Sequence, residues 1–150
     1  MPGGEVIAST EIIASTEGIA STEIIDSHLH FWNPERVDYF WLGSAPPTLR
    51  RTVCLDELEP QRLACGVTRG VFVQASHDPR ELDWVLRELE RFPWVRGVVG
   101  WLDLSAPDLE RRARAAQQDA RFKGVRHLTH DVPDAHWLAR SDVEIGRAHV

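Results

Sequence analysis

The chain has 150 residues and a formal net charge of −6, from 17 Lys and Arg against 23 Asp and Glu. That length suffices for one domain with a sizeable core. The 43% hydrophobic content with mixed charge is that of a soluble globular protein. The acidic balance argues against nucleic acid as the main partner. No apolar segment is long enough to suggest a membrane span, and no basic region followed by an apolar one marks a signal peptide. A cytoplasmic location is therefore expected. Cys54 and Cys65 lack metal-type or disulfide-framework spacing and read as reduced thiols.

Residues 7–24 repeat one hexapeptide three times, as IASTEI, IASTEG and IASTEI. Residues 1–23 therefore read as a low-complexity extension. A solenoid coil of period six is conceivable, but three short coils would bury little.

The stretch that follows carries the first chemistry. Ile24-Ile25-Asp26-Ser27-His28-Leu29-His30-Phe31-Trp32 suits a buried strand, where apolar runs need not alternate. His28 and His30 are two apart, so on a regular strand they point to one side. Two imidazoles converging at a strand end make half of a metal site.

From Asn33 to Arg51 the sequence is loop-like, with Asn33-Pro34, Gly43 and Pro46-Pro47. Its aromatic residues, including Tyr39, Phe40 and Trp41, suit a flap over a pocket. Trp32 and Trp41 are candidates for an apolar wall.

A short helix is expected within 54–65, starting near Leu58 because Pro60 is tolerable only near a first turn. Gly66 fits its C-terminal cap. Residues 67–75 read as a second strand, with Gln74 near its C-terminal end. Asp78-Pro79-Arg80-Glu81 predicts a helix start with a capping box. Leu82, Val85, Leu86 and Leu89 then make one apolar stripe, and Pro93 ends the helix.

Residues 95–104 are the third strand, and Ser105-Ala106-Pro107-Asp108 opens the third helix. Residues 122–130 are the fourth strand, with Arg126 and His127 near its end. Residues 131–140 begin a fourth helix or helical loop. The last six residues, 145–150, have no periodicity and resemble one reading frame of a common sequencing adapter. The expectation is a non-native tail over 144–150 and a natural gene that continues.

Strand and helix thus alternate four times at about 25–30 residues per unit, the pattern of parallel strands with crossover helices. The polar residues gather at strand C-termini, where both a (β/α)8 barrel and a doubly wound sheet place their sites. No G-x-G-x-x-G follows the first strand, which argues against the dinucleotide-binding version.

Asp26-Ser27-His28-Leu29-His30-Phe31-Trp32-Asn33-Pro34 resembles the opening of the amidohydrolase-related family, in its branch of L-fuconolactonase-like and dicarboxylate lactone hydrolases. Segments 71–75, 96–104, 124–128 and 131–138 match that branch in order and spacing. The resemblance covers residues 24–143. It implies an α/β fold: the N-terminal half, four βα units, of a (β/α)8 TIM-type barrel. It also implies hydrolysis of a small-molecule lactone, of a sugar acid or a dicarboxylate, with a divalent metal, commonly zinc, although some members use none.

By this resemblance His28 and His30 are metal ligands. The remaining ligands and the general base of the wider superfamily come from later strands that this chain lacks, so the half is expected to be inactive alone. Among the candidates for substrate contact, Arg126 offers a planar fork for a carboxylate and Gln74 an amide for hydroxyls or a carboxylate. His127 could orient substrate, and Trp32 would supply apolar wall. Two alternatives remain open at this stage: a non-catalytic half-barrel that associates with its own kind through unpaired strand edges, and a decarboxylase on the same superfamily barrel.

Overall fold

A computed structural model describes residues 23–129 and 132–143. Four strands make one parallel sheet in the order β1-β2-β3-β4. They are β1 (Ile24–Leu29), β2 (Val67–Val73), β3 (Val95–Gly100) and β4 (Phe122–Val125). Three helices connect them, α1 (Leu55–Ala64), α2 (Glu81–Glu88) and α3 (Leu109–Ala116). The chain is therefore four successive units of a (β/α)8 barrel, in sequence order and without a topological switch. The hexapeptide repeat up to residue 22 and the adapter-like tail from residue 144 lie outside the described residues, as do His130 and Asp131.

The core lies between sheet and helices. Leu29, Phe31, Phe72 and Val98 from the strand side meet Leu82 and Val85 from α2 and Leu89 from the 3-10 turn that follows it. Val85 and Val98 are wholly buried, and Phe31 and Phe72 retain 1% of their surface. Each such side chain stabilises the fold by roughly 1.5–3 kcal/mol relative to exposure. The predicted stripe on α2 is this contact surface. A second, smaller cluster of Val37, Tyr39, Leu42 and Ala45 gives the long loop after β1 its own packing. Among the described residues the sheet is open at both edges: Ile24 and Ile25 on β1 keep 45% and 51% of their surface, and Val125 on β4 keeps 36%.

Several expectations need correction. Helix α1 begins at Leu55 and holds Pro60 inside. Its start is tied down by Glu57, whose Oε1 accepts from the Cys54 N–H at 3.4 Å while Arg51 forks onto the same carboxylate at 2.7 and 2.8 Å. Gly66 follows with φ of +69°, the left-handed cap expected there. Every strand stops earlier than its apolar run: β2 at Val73, β3 at Gly100 and β4 at Val125. Of the helix or helical loop expected over 131–140, the described residues hold a single 3-10 turn, Trp137–Ala139.

The box at the start of α2 is also different. Asp78 Oδ1 accepts from the Arg80 N–H at 2.9 Å, a local turn. Glu81 turns away from it, into the protein, and serves the end of β2 instead. No helix among the described residues is long and apolar enough to cross a membrane.

Candidate functional site

The two histidines meet where β1 loses its regular pairing. Asp26 pairs with Gly70 and Leu29 with Phe72, so three steps on β1 face two on β2. The irregularity is a bulge, the device that re-aims side chains at barrel rims. Asp26 supports it by accepting the His28 N–H at 3.1 Å. His28 and His30 converge, their Nε2 atoms 3.1 Å apart and their rings edge-to-face at 78°.

His30 Nδ1 lies 2.8 Å from the Val73 carbonyl oxygen, an acceptor only. Nδ1 therefore carries the proton in the neutral ring, and the Nε2 lone pair faces His28 Nε2, from which it can accept a hydrogen bond. Partial burial of the ring, with repulsion from His28 and Arg126, lowers its pKa below 6.5. A neutral imidazole anchored through Nδ1 is the form in which histidine binds metal. Two nitrogen ligands of a tetrahedral zinc ion stand ~3.3 Å apart for bonds of about 2.0–2.1 Å. The donor chemistry and spacing thus fit two ligands of such an ion. Among the described residues no group of three or more His, Cys, Asp or Glu is placed to complete the set.

His30 also lines an open cleft of about 600 Å³ at the C-terminal strand ends, together with Trp32, Trp41, Gln74 and Arg126. Trp32 and Trp41 form its apolar wall, with centroids 5.2 Å apart and planes at 77°. Their indole N–H groups donate to Leu49 O at 3.1 Å and to Ala75 O at 2.8 Å. Gln74 is wholly buried, and neither its Oε1 nor its Nε2 has a hydrogen-bond partner among the described residues. A buried amide without partners is costly unless a ligand or water meets it. Arg126 is half-buried and makes one long contact, Nη1 to Gln74 O at 3.5 Å. No carboxylate pairs with it among the described residues, so its fork stays available to the cleft.

His127 is placed elsewhere. Its ring stacks on Trp137 at 4.1 Å and 23°, outside the lining of the cleft. It belongs to a row of rings that the sequence pattern did not reveal. Phe40 stacks on His77 at 4.5 Å, His77 lies 6.3 Å from Trp101, and Trp101 lies 5.9 Å from His127. Asp103 accepts from Ser105 N and Ser105 Oγ at 3.0 and 2.7 Å, closing its own loop.

Fold and rim together define a (β/α)8-barrel protein whose polar groups gather at the C-terminal strand ends. The chain belongs to the amidohydrolase family, whose model matches residues 25–148. It is 31% identical to an L-fucono-1,5-lactonase of Burkholderia ambifaria over 114 residues, 76% of this chain and 39% of that protein. It is 34% identical to the L-fucono-1,5-lactonase of Burkholderia multivorans over 110 residues, 73% of this chain and 37% of that protein. A solved amidohydrolase from Burkholderia multivorans with bound zinc superposes with a TM-score of 0.71 at 32% identity, over 81% of this chain and 43% of that one. The chain thus spans about two fifths of the length of the relatives it matches.

Proposed function

We propose that this chain is the metal-ligand and substrate-positioning half of a lactone hydrolase acting on a lactone of a sugar acid or a dicarboxylate. The observation that carries the reading is the convergence of the His28 and His30 Nε2 atoms at 3.1 Å on the rim that also presents Gln74 and Arg126. Relatives that are L-fucono-1,5-lactonases support the same class.

His28 and His30 would hold a divalent ion, zinc by the nitrogen donors they offer. When bound, such an ion lowers the pKa of water toward about 7 and polarises a carbonyl. Val73 O keeps the His30 lone pair on Nε2 and aimed at the rim. Arg126 offers two parallel N–H groups to a substrate carboxylate or its hydroxyls. Gln74 lines the cleft from beneath, with a buried amide that lacks a partner among the described residues. Trp32 and Trp41 cover the apolar face of the ring and exclude water from one side. His127, stacked on Trp137 outside the cleft lining, takes no part in this scheme. The proton of the attacking water would pass to a carboxylate of the barrel's other half, and the half-barrel alone is inactive in this reading.

Calorimetric titration of zinc into the chain tests it. Binding is expected to be measurable and to fall at least about tenfold in His28→Ala and in His30→Ala. Equal affinity in wild type and both variants would remove the metal assignment. Joined to the second half of the Burkholderia multivorans lactonase, the wild-type half is expected to restore lactone hydrolysis and His30→Ala to abolish it.

A further inference from the structure

Three consecutive carbonyl groups at the end of β2 each hold one side chain of the cleft. Val73 O accepts from His30 Nδ1 at 2.8 Å, Gln74 O from Arg126 Nη1 at 3.5 Å, and Ala75 O from Trp41 Nε1 at 2.8 Å. The three side chains come from three separate segments: the end of β1, the end of β4 and the loop after β1. Their mutual placement therefore depends on where the backbone of residues 73–75 lies.

One group fixes that backbone from behind. The Ala75 N–H donates to both oxygens of Glu81, at 3.1 and 3.3 Å. Glu81 sits in the first turn of α2 and is 1% exposed. No Lys, Arg or His pairs with it among the described residues. An ionisable group buried without a cation is costly. Glutamine could satisfy the Ala75 N–H at that place; the carboxyl adds a second acceptor oxygen and a charge that depends on pH.

We propose that Glu81 is a positioning residue of the cleft, its carboxyl fixing the Ala75 peptide and through it Trp41, Arg126 and His30. The inference rests on reading the cleft as the substrate site, but the clamp can be tested with no substrate present. Burial raises the Glu81 pKa to about 8, against the backbone N–H groups of Ser76 and Ala75, which favour its ionised form. Above that pH the bonds to Ala75 and Ser76 become charge-assisted and stronger. The other titratable groups facing Glu81 are Tyr39, from the loop after β1, and Asp78, from the turn before α2. Hydrogen bonds from Arg80 hold Asp78 well below the usual carboxylate range, and burial holds the Tyr39 phenol well above its usual value. Between pH 6 and 9.5 only Glu81 among these three changes charge.

Amide and indole NMR of the wild-type chain over that range tests the proposal. The Ala75 amide and the Trp41 indole N–H are expected to shift together with one midpoint near 8. In Glu81→Gln both curves are expected to be flat with the fold retained. In Glu81→Ala the Ala75 amide is expected to exchange at least about tenfold faster. Flat wild-type curves, or an unchanged midpoint in Glu81→Gln, would overturn it. Should Glu81→Gln fail to fold, carbon-13 titration of the Glu81 carboxyl in the wild-type chain decides, because a midpoint unlike that of Trp41 also overturns the clamp. Failure of lactone hydrolysis in the completed barrel would count against the cleft as substrate site and leave these curves untouched.

Discussion

His30 Nδ1 and the Val73 carbonyl oxygen lie 2.8 Å apart, across the first pair of strands. This one contact sets both the tautomer and the direction of the ring. His30 is therefore expected to be the Nδ1–H tautomer near neutral pH, which nitrogen-15 shifts of the imidazole report directly. An Nε2–H ring would mean that the free lone pair points into the protein and away from the rim.

Arg126 is expected to act through its planar fork. In the completed barrel, Arg126→Lys keeps the charge and loses the paired N–H groups. A rise in KM of about tenfold, the equivalent of one charge-assisted hydrogen bond, is expected with the melting temperature unchanged. Steady-state kinetics on a lactone bearing a free carboxylate or several hydroxyls would show it. An unchanged KM would mean that the guanidinium does not meet the substrate.

Stability should fall as pH rises from 6.5 to 8. Glu81 has a folded-state pKa of about 8, above its usual 4.5. A raised carboxyl pKa stabilises the fold fully below 4.5, and that contribution is lost as pH rises to the folded value. The lowered pKa of His30 acts in the opposite sense, but only below 6.5. Asp78, held low, contributes its full share throughout this window. Between 6.5 and 8 the unfolding free energy should drop by about 1–2 kcal/mol and then level off. Urea denaturation at several pH values would measure it, and Glu81→Gln should flatten the curve.

Gly70 is where the sheet has no room. It is buried, and a Cβ there would stand 2.5 Å from Trp94 Cζ3 and 2.6 Å from Leu29 Cδ2. Gly70→Ala should therefore cost about 1–3 kcal/mol through overpacking, seen as a lower urea midpoint. No described residue comes within 4 Å of the same added atom at Gly124, so Gly124→Ala serves as the tolerated control.

The open edges of β1 and β4 predict self-association. Ile24, Ile25 and Val125 form apolar surface along strand edges that no other described strand pairs. Sedimentation should show assembly that grows with concentration, and Ile25→Lys should reduce it. A monomer at all accessible concentrations would show that the edges are silent.

The alternation of strands and helices was legible because buried parallel strands are plain apolar runs and α2 carries its stripe at helical spacing. Strand ends were less legible. An apolar run continues past the last ladder bond, so Leu102 and Leu104 lengthened the expected β3. Pro60 misled because the rule against interior proline is an average, and Arg51 with Glu57 anchors the turn before it. The rim residues Gln74 and Arg126 could be found from their place after strands. Glu81 could not, because its partner is the Ala75 N–H across a turn, and the motif Asp78–Glu81 equally describes a local cap. The stacking of His127 on Trp137 depends on where separate loops converge, which no local spacing encodes.

The row of rings from Phe40 through His77, Trp101 and His127 to Trp137 ties the loops of all four units together edge by edge. Such loops do not vary one at a time. Grafting a foreign segment after any single strand would unseat its neighbours on both sides, so selectivity in this scaffold should be redesigned by exchanging the four connections as a set.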